Sequence, residues 1–175
     1  MKESVKKIAE RIEKTFDRIE TEEATKNAFI MPFIQILGYD IFDPEEVIPE
    51  FTADIGIKKG EKVDYAICRD GEPAILIECK SCRSELCLDN ASQLFRYFHT
   101  TKARFSVLTN GIVYKFFTDL EEPNKMDGKP FLEINLRELD KIDYNELAKF
   151  SKENFNEESI RDRADVLKCA TSIRN

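Results

Sequence analysis

Residues 62–80, KVDYAICRDGEPAILIECK, constrain the fold more than any other stretch of the chain. Two short apolar runs flank Arg69-Asp70-Gly71-Glu72-Pro73. That Gly/Pro-marked turn predicts an antiparallel hairpin of strands at 62–68 and 74–79. In the second run Ala74, Leu76, Glu78 and Lys80 share one face, and Ile75, Ile77 and Cys79 share the other. Both faces stay apolar until the strand ends, the pattern of a central strand covered on both sides. The run then closes on Glu78-Cys79-Lys80, an acid and a base that are costly to bury without partners. A hairpin centred on Gly71 pairs position 64 with position 78, so Asp64 is expected beside Glu78.

The remaining elements follow from periodicity and punctuation. Val5, Ile8, Ile12, Phe16 and Ile19 mark an amphipathic helix from about residue 3 to 20. Thr21 is a candidate N-cap for a second helix with Glu22 and Glu23 in its first turn. That helix should kink at Pro32 and stop at Gly38. Val47–Thr52 reads as a strand, with Pro49 arguing for an edge. Leu88–His99 reads as a helix, and its length between two strands predicts a parallel crossover. Asn110-Gly111 between Phe105–Thr109 and Ile112–Phe117 predicts a second hairpin. PFLEINL is a candidate sixth strand, and helical periodicity returns from Asp143.

The expected fold class is therefore α/β, a mixed sheet in the order helix, three strands, helix, two strands. The expected organisation is an N-terminal helix at 1–20, a core domain at 21–140 and a helical extension at 141–175. No Gly or Pro stops the last helix, which suggests that it leads into a longer chain.

Composition narrows the function. The 34 acids against 27 bases give a net charge of −7, which argues against a surface coated with phosphate-binding patches. A nucleic-acid partner would need a local basic surface or one lent by another subunit. No run approaches the ~18 apolar residues of a membrane span, and the charged start lacks the apolar core of a signal peptide. A cytoplasmic protein with five reduced cysteines is expected. Cys79-x-x-Cys82 with Cys87 lacks a fourth ligand for a tetrahedral metal site.

Two carboxylates and an ammonium at one sheet end form a chemically specific group. Close carboxylates repel unless a cation or proton lies between them. A hard ion such as Mg²⁺, with Mn²⁺ as substitute, suits oxygen ligands and keeps waters for a phosphate. Lys80 could then stabilise charge developing on that phosphate, or serve only as a salt-bridge partner of Glu78 or Asp64.

Asp64, a hairpin and Glu78-Cys79-Lys80 together resemble the PD-(D/E)xK nuclease motif. FIMPFIQILGYD, VDYAICRDGEPAILIECK, the Gln93-Leu-Phe-Arg-Tyr97 helix and FSVLTNGIVYKFF follow in the order seen in one branch. Over roughly residues 20–120 they resemble the N-terminal nuclease domain of type I restriction enzyme R subunits. The resemblance implies a metal-dependent DNA endonuclease with a restriction-endonuclease-like core. It implies Asp64 and Glu78 as metal ligands and Lys80 as the catalytic lysine. Glu22, with Glu23 as alternative, matches the acid that often completes such sites. Gln93 and Tyr97 match a QxxxY motif that contacts DNA or supports the site. It further implies restriction-modification subunits, or an ATP-driven motor on another chain, as partners. The chain departs from the pattern at Val63, where a proline is usual, and has no nucleotide-binding G-x-x-x-x-G-K-[ST] motif. His99, the single histidine, reads as a helix-end residue. The alternative function is a non-catalytic nucleic-acid-binding or assembly module that retains the fold.

Overall fold

The computed structural model describes residues 1–53 and 61–172. Among them runs one mixed sheet of six strands in sequential order. The strands are β1 (Val47–Phe51), β2 (Val63–Arg69), β3 (Glu72–Cys79), β4 (Phe105–Thr109), β5 (Val113–Phe117) and β6 (Leu132–Asn135). The β3–β4 pair is parallel and all other neighbours are antiparallel. The crossover between β3 and β4 carries a 3-10 turn, Leu88–Ala91, and a helix, Ser92–Thr100. The strand that ends in Glu78-Cys79 thus has a hydrogen-bonded neighbour on each edge.

The helices are α1 (Lys2–Thr15), α2 (Glu22–Thr25), α3 (Met31–Ile36), α4 (Ser92–Thr100), α5 (Tyr144–Ala148) and α6 (Glu157–Ser172). They cover the two sheet faces unequally. Ile75, Ile77 and Cys79 pack in a large core with Val5, Ile8 and Ile12 of α1, Phe33 of α3, and Phe150 and Ile160 near the C-terminus. Leu76 packs in a smaller core with Ala66, Leu108 and Leu94, Tyr97 and Phe98 of α4. Burying each such large side chain is worth about 1.5–3 kcal/mol, so β3 is anchored from both layers. The last three residues of the expected C-terminal extension lie outside the described residues.

Three local departures from expectation shape the site. The first lies in the second helix, expected as one kinked element over 21–38. It is α2, a π turn over Lys26–Ile30, and α3. Pro32 has no N–H to give the Ala28 carbonyl four residues earlier. The π turn absorbs the mismatch, and the Arg11 guanidinium donates to Ala28 O at 3.0 Å. The ends follow the sequence: the Thr21 hydroxyl accepts from Ala24 N–H, and Gly38 stops the helix at φ +89°.

The second departure lies in the β2–β3 hairpin. Its loop is the two residues Asp70 and Gly71, both at positive φ, closed by the Arg69–Glu72 pair. A bulge beside Ala74 then shifts the register, and from Ile67–Ile75 onward the paired numbers again sum to 142. The expected 64–78 register therefore holds at the far end of the hairpin, although its turn is not centred on Gly71.

The third concerns Asn110-Gly111. The hairpin forms, but its two central residues are Gly111 and Ile112. The Asn110 N–H donates to Val113 O, and only Gly111 has positive φ. Asn110 instead spends its side chain on the turn, accepting from Ile112 and Val113 N–H and donating to Ser84 O. Glycine is needed at 111 twice over, because a Cβ there would lie 2.9 Å from Phe29 Cβ and 3.0 Å from Thr25 Cγ2. The close approach brings the first turns of the second helical segment down onto the sheet end.

Candidate active site

The C-terminal end of β3 gathers the charged groups. Glu78 is 3% exposed, and the Lys80 ammonium donates to its Oε1 at 2.7 Å. Its other oxygen, Oε2, is buried without a hydrogen-bond partner among the described residues. Such an atom costs about 1–3 kcal/mol unless something satisfies it. Burial lifts the Glu78 carboxyl to about 7, against the Lys80 hydrogen bond that pulls it down, while the charges of Asp64 and Glu22 push it further up.

Asp64 sits one residue beyond the last β2–β3 pair, Tyr65–Ile77. Its Oδ2 accepts the Cys79 N–H at 2.7 Å, so the carboxylate itself joins the two strands. Its Oδ1 pairs with the ammonium of Lys26, the first residue of the π turn. Burial alone would lower the Lys26 pKa, but the Asp64 carboxylate more than reverses this and leaves it above the usual lysine range. Glu22 Oε1 and Glu23 Oε2 stand 3.6 and 3.8 Å from the same ammonium. Glu22 is therefore linked to Asp64 through Lys26. Among the described residues, no three metal-ligating side chains already lie together.

The backbone around the site is tied down by residues that carry no charge to the acids. The Thr25 hydroxyl, fully buried, donates to Thr21 O and accepts the Cys82 N–H, each at 3.0 Å. Arg83 donates to the carbonyls of Phe16, Asp17 and Ile19, closing the 3-10 turn Phe16–Arg18 that follows α1. The loop after Lys80 is thereby bonded to both N-terminal helices. The Lys80 N–H donates to Thr109 O, extending the β3–β4 pairing by one residue.

The sequence-derived residues divide into two groups. Asp64, Glu78 and Lys80 meet at one end of the β2–β3 hairpin, with Glu22 at the rim. Gln93 and Tyr97 lie on α4, over the face that carries Leu76. Tyr97 is fully buried, and its hydroxyl donates to Glu61 O at 2.6 Å. Arg96 forks the Glu61 carboxylate at 2.8 and 3.0 Å. Glu61 lies three residues before Asp64, so α4 positions the chain as it enters β2. Gln93 is half-buried, and its side chain makes no hydrogen bond among the described residues. His99 is exposed in the last turn of α4. Lys26 is the site residue that sequence reasoning missed. The one available signal was its spacing of four and three residues from Glu22 and Glu23.

A wide surface groove lines the opposite end of the hairpin, among Tyr39, Cys68, Gly71 and Lys152, away from these acids. The charged cluster lies instead at the β3 end. Among known protein families, the one described as Type I restriction enzyme R protein N terminus (HSDR_N) matches residues 21–132. No individual curated protein and no solved structure matches the chain.

Proposed function

We propose a metal-dependent DNA endonuclease, from the premise that the chain belongs to the family of type I restriction enzyme R protein N termini. Membership supports a restriction-enzyme-related nuclease role, and the six-stranded mixed sheet is compatible with a restriction-endonuclease-like fold. The observation that carries the finer reading is Glu78 Oε2, a buried carboxylate oxygen without a partner next to a second carboxylate. A hard divalent cation such as Mg²⁺ or Mn²⁺ is the class of partner that such oxygens suit. Asp64 and Glu78 would hold it, with Glu22 as the additional acid. When bound, the ion would supply Lewis-acid activation of water and of the phosphodiester.

The chain's own groups do the rest. Lys80 projects from the same strand end as Glu78 and offers its ammonium to the negative charge that builds on the reacting phosphate. Tyr97 and Arg96, through Glu61, hold the approach to Asp64. The acidic balance of the chain fits a nuclease that receives its DNA from companion restriction-modification subunits or a motor on another chain. DNA of that kind would be met in the cytoplasm.

A second reading, a non-catalytic nucleic-acid-binding or assembly module, draws on the fact that both central carboxylates already carry an ammonium. Incubating the chain with plasmid and linear DNA, with and without Mg²⁺ or Mn²⁺, separates the two. Metal-dependent cleavage that a folded Lys80→Ala variant loses supports the endonuclease. DNA binding without cleavage under every metal condition, with partner subunits added, refutes it.

A further inference from the structure

Lys26 belongs to none of the motifs that lead to the site, yet it is the residue that holds Asp64. It is 14% exposed on its side chain and opens the π turn that Pro32 imposes. Its neighbour Thr25 is bonded to the loop after β3, so the backbone that carries Lys26 is fixed relative to the acids. Asp64 Oδ2 is spent on the Cys79 N–H. The oxygen that remains, Oδ1, is the one that Lys26 occupies. On its other side the ammonium faces Glu22 and Glu23, at 3.6 and 3.8 Å. A cation thus already sits among Asp64, Glu22 and Glu23, at the oxygen that a divalent ion would need.

We propose that Lys26 is a resident counter-ion of the site. In the metal-free protein it balances and orients Asp64. On metal binding it would yield Oδ1 and withdraw to Glu23, which already borders it, leaving Glu22 to the ion. This rests on the metal-dependent reading above and makes Lys26 a positioning residue. The cost is competition, because apparent affinity falls by the fraction of molecules in which Asp64 is free. If Lys26 covers Oδ1 about nine-tenths of the time, its removal tightens metal binding about tenfold.

Thermal melting and calorimetric titration with Mg²⁺ and Mn²⁺, on the full chain and on Lys26→Met and Lys26→Arg, test this. Lys26→Met should melt below wild type in EDTA, recover at saturating metal, and bind metal about tenfold more tightly. Lys26→Arg, which keeps the charge, should show no tightening. A Lys26→Met protein that folds only when metal is added also supports the counter-ion. Equal destabilisation with and without metal, unchanged affinity, or failure to fold in both conditions would make Lys26 a fixed strut and overturn it. Wild type that binds no metal defeats the endonuclease reading itself, and this inference with it. Metal bound normally by wild type but indifferent to Lys26→Met defeats the counter-ion alone.

Discussion

The two acid–lysine pairs look alike in chemistry and differ in how they are built and how fully each acid is satisfied. Glu78 and Lys80 lie two residues apart on one strand face, and the acid is buried with one oxygen unpartnered. Asp64 and Lys26 lie 38 residues apart, on a strand and a π turn, and both Asp64 oxygens are engaged. The difference teaches that the protein satisfies one carboxylate and leaves the other wanting a partner. A buried acid in that state answers in two ways: it holds its proton to higher pH, or it takes a cation. Asp64, by contrast, is braced by the backbone N–H of Cys79.

The largest effect expected from breaking this comparison is at Lys80. Lys80→Ala should cut DNA cleavage by at least ~100-fold, the scale of losing one transition-state donor. Its melting temperature should stay near wild type, because Glu78 can escape an unpaired charge by keeping its proton. A folded variant with unchanged cleavage would remove Lys80 from the mechanism. A variant that unfolds would assign it to the salt bridge.

Next in size is the metal response. Wild type should gain about 2.7 kcal/mol at a metal concentration 100 times its Kd. Asp64→Asn should abolish that gain in thermal melts. A wild-type protein indifferent to millimolar Mg²⁺ and Mn²⁺ would exclude the site.

The pH dependence sharpens the asymmetry on the Glu78 side. Its folded pKa, about 7, lies above its ordinary 4.5, so the native state holds the proton more tightly than the unfolded chain. The stability this contributes is complete below about pH 4.5 and is lost as pH rises through about 7. Urea unfolding of the metal-free protein should show a fall of about 2 kcal/mol between pH 5 and 7 from this group. Glu78→Gln should flatten that part of the profile. The same proton should compete with metal, so metal-induced stabilisation should be weaker at pH 6 than at pH 8.

The smallest effect belongs to Cys79, between Glu78 and Lys80 in sequence and on the opposite face of β3. Its side chain is fully buried in the large core with Ile75 and Ile77. Cys79→Ala should cost about 1 kcal/mol through a small cavity and leave cleavage intact. Loss of cleavage in a stable variant would contradict the assignment of faces along β3.

Much of the sheet was legible because its signals are local. The doubly apolar run Ala74–Ile77 predicted a central strand, and the helix-length spacer at Leu88–His99 predicted the parallel β3–β4 pair. The charges at 78 and 80 drew attention to the site because alternation sets them on one face at a strand end. Turn details were less legible. Asn110-Gly111 matched a two-residue loop, yet Gly111 stands first in the turn because the Asn110 side chain found the N–H groups of Ile112 and Val113.

What the sequence by itself determined, then, is the framework: the strands and their two hairpins, the parallel crossover, the Thr21 cap, and the meeting of Asp64 with Glu78 and Lys80. These rest on periods of two and about 3.6 residues and on turn chemistry, which act over a few neighbours. Tertiary structure alone decided which cation faces Asp64, that Tyr97 buries its hydroxyl on Glu61 O, and that Arg83 caps a turn more than sixty residues earlier. Those contacts depend on how a helix lies against a sheet end. The π turn before Pro32 and the close approach at Gly111 set that angle, and a shift of one residue in the helix would have turned Lys26 away from Asp64.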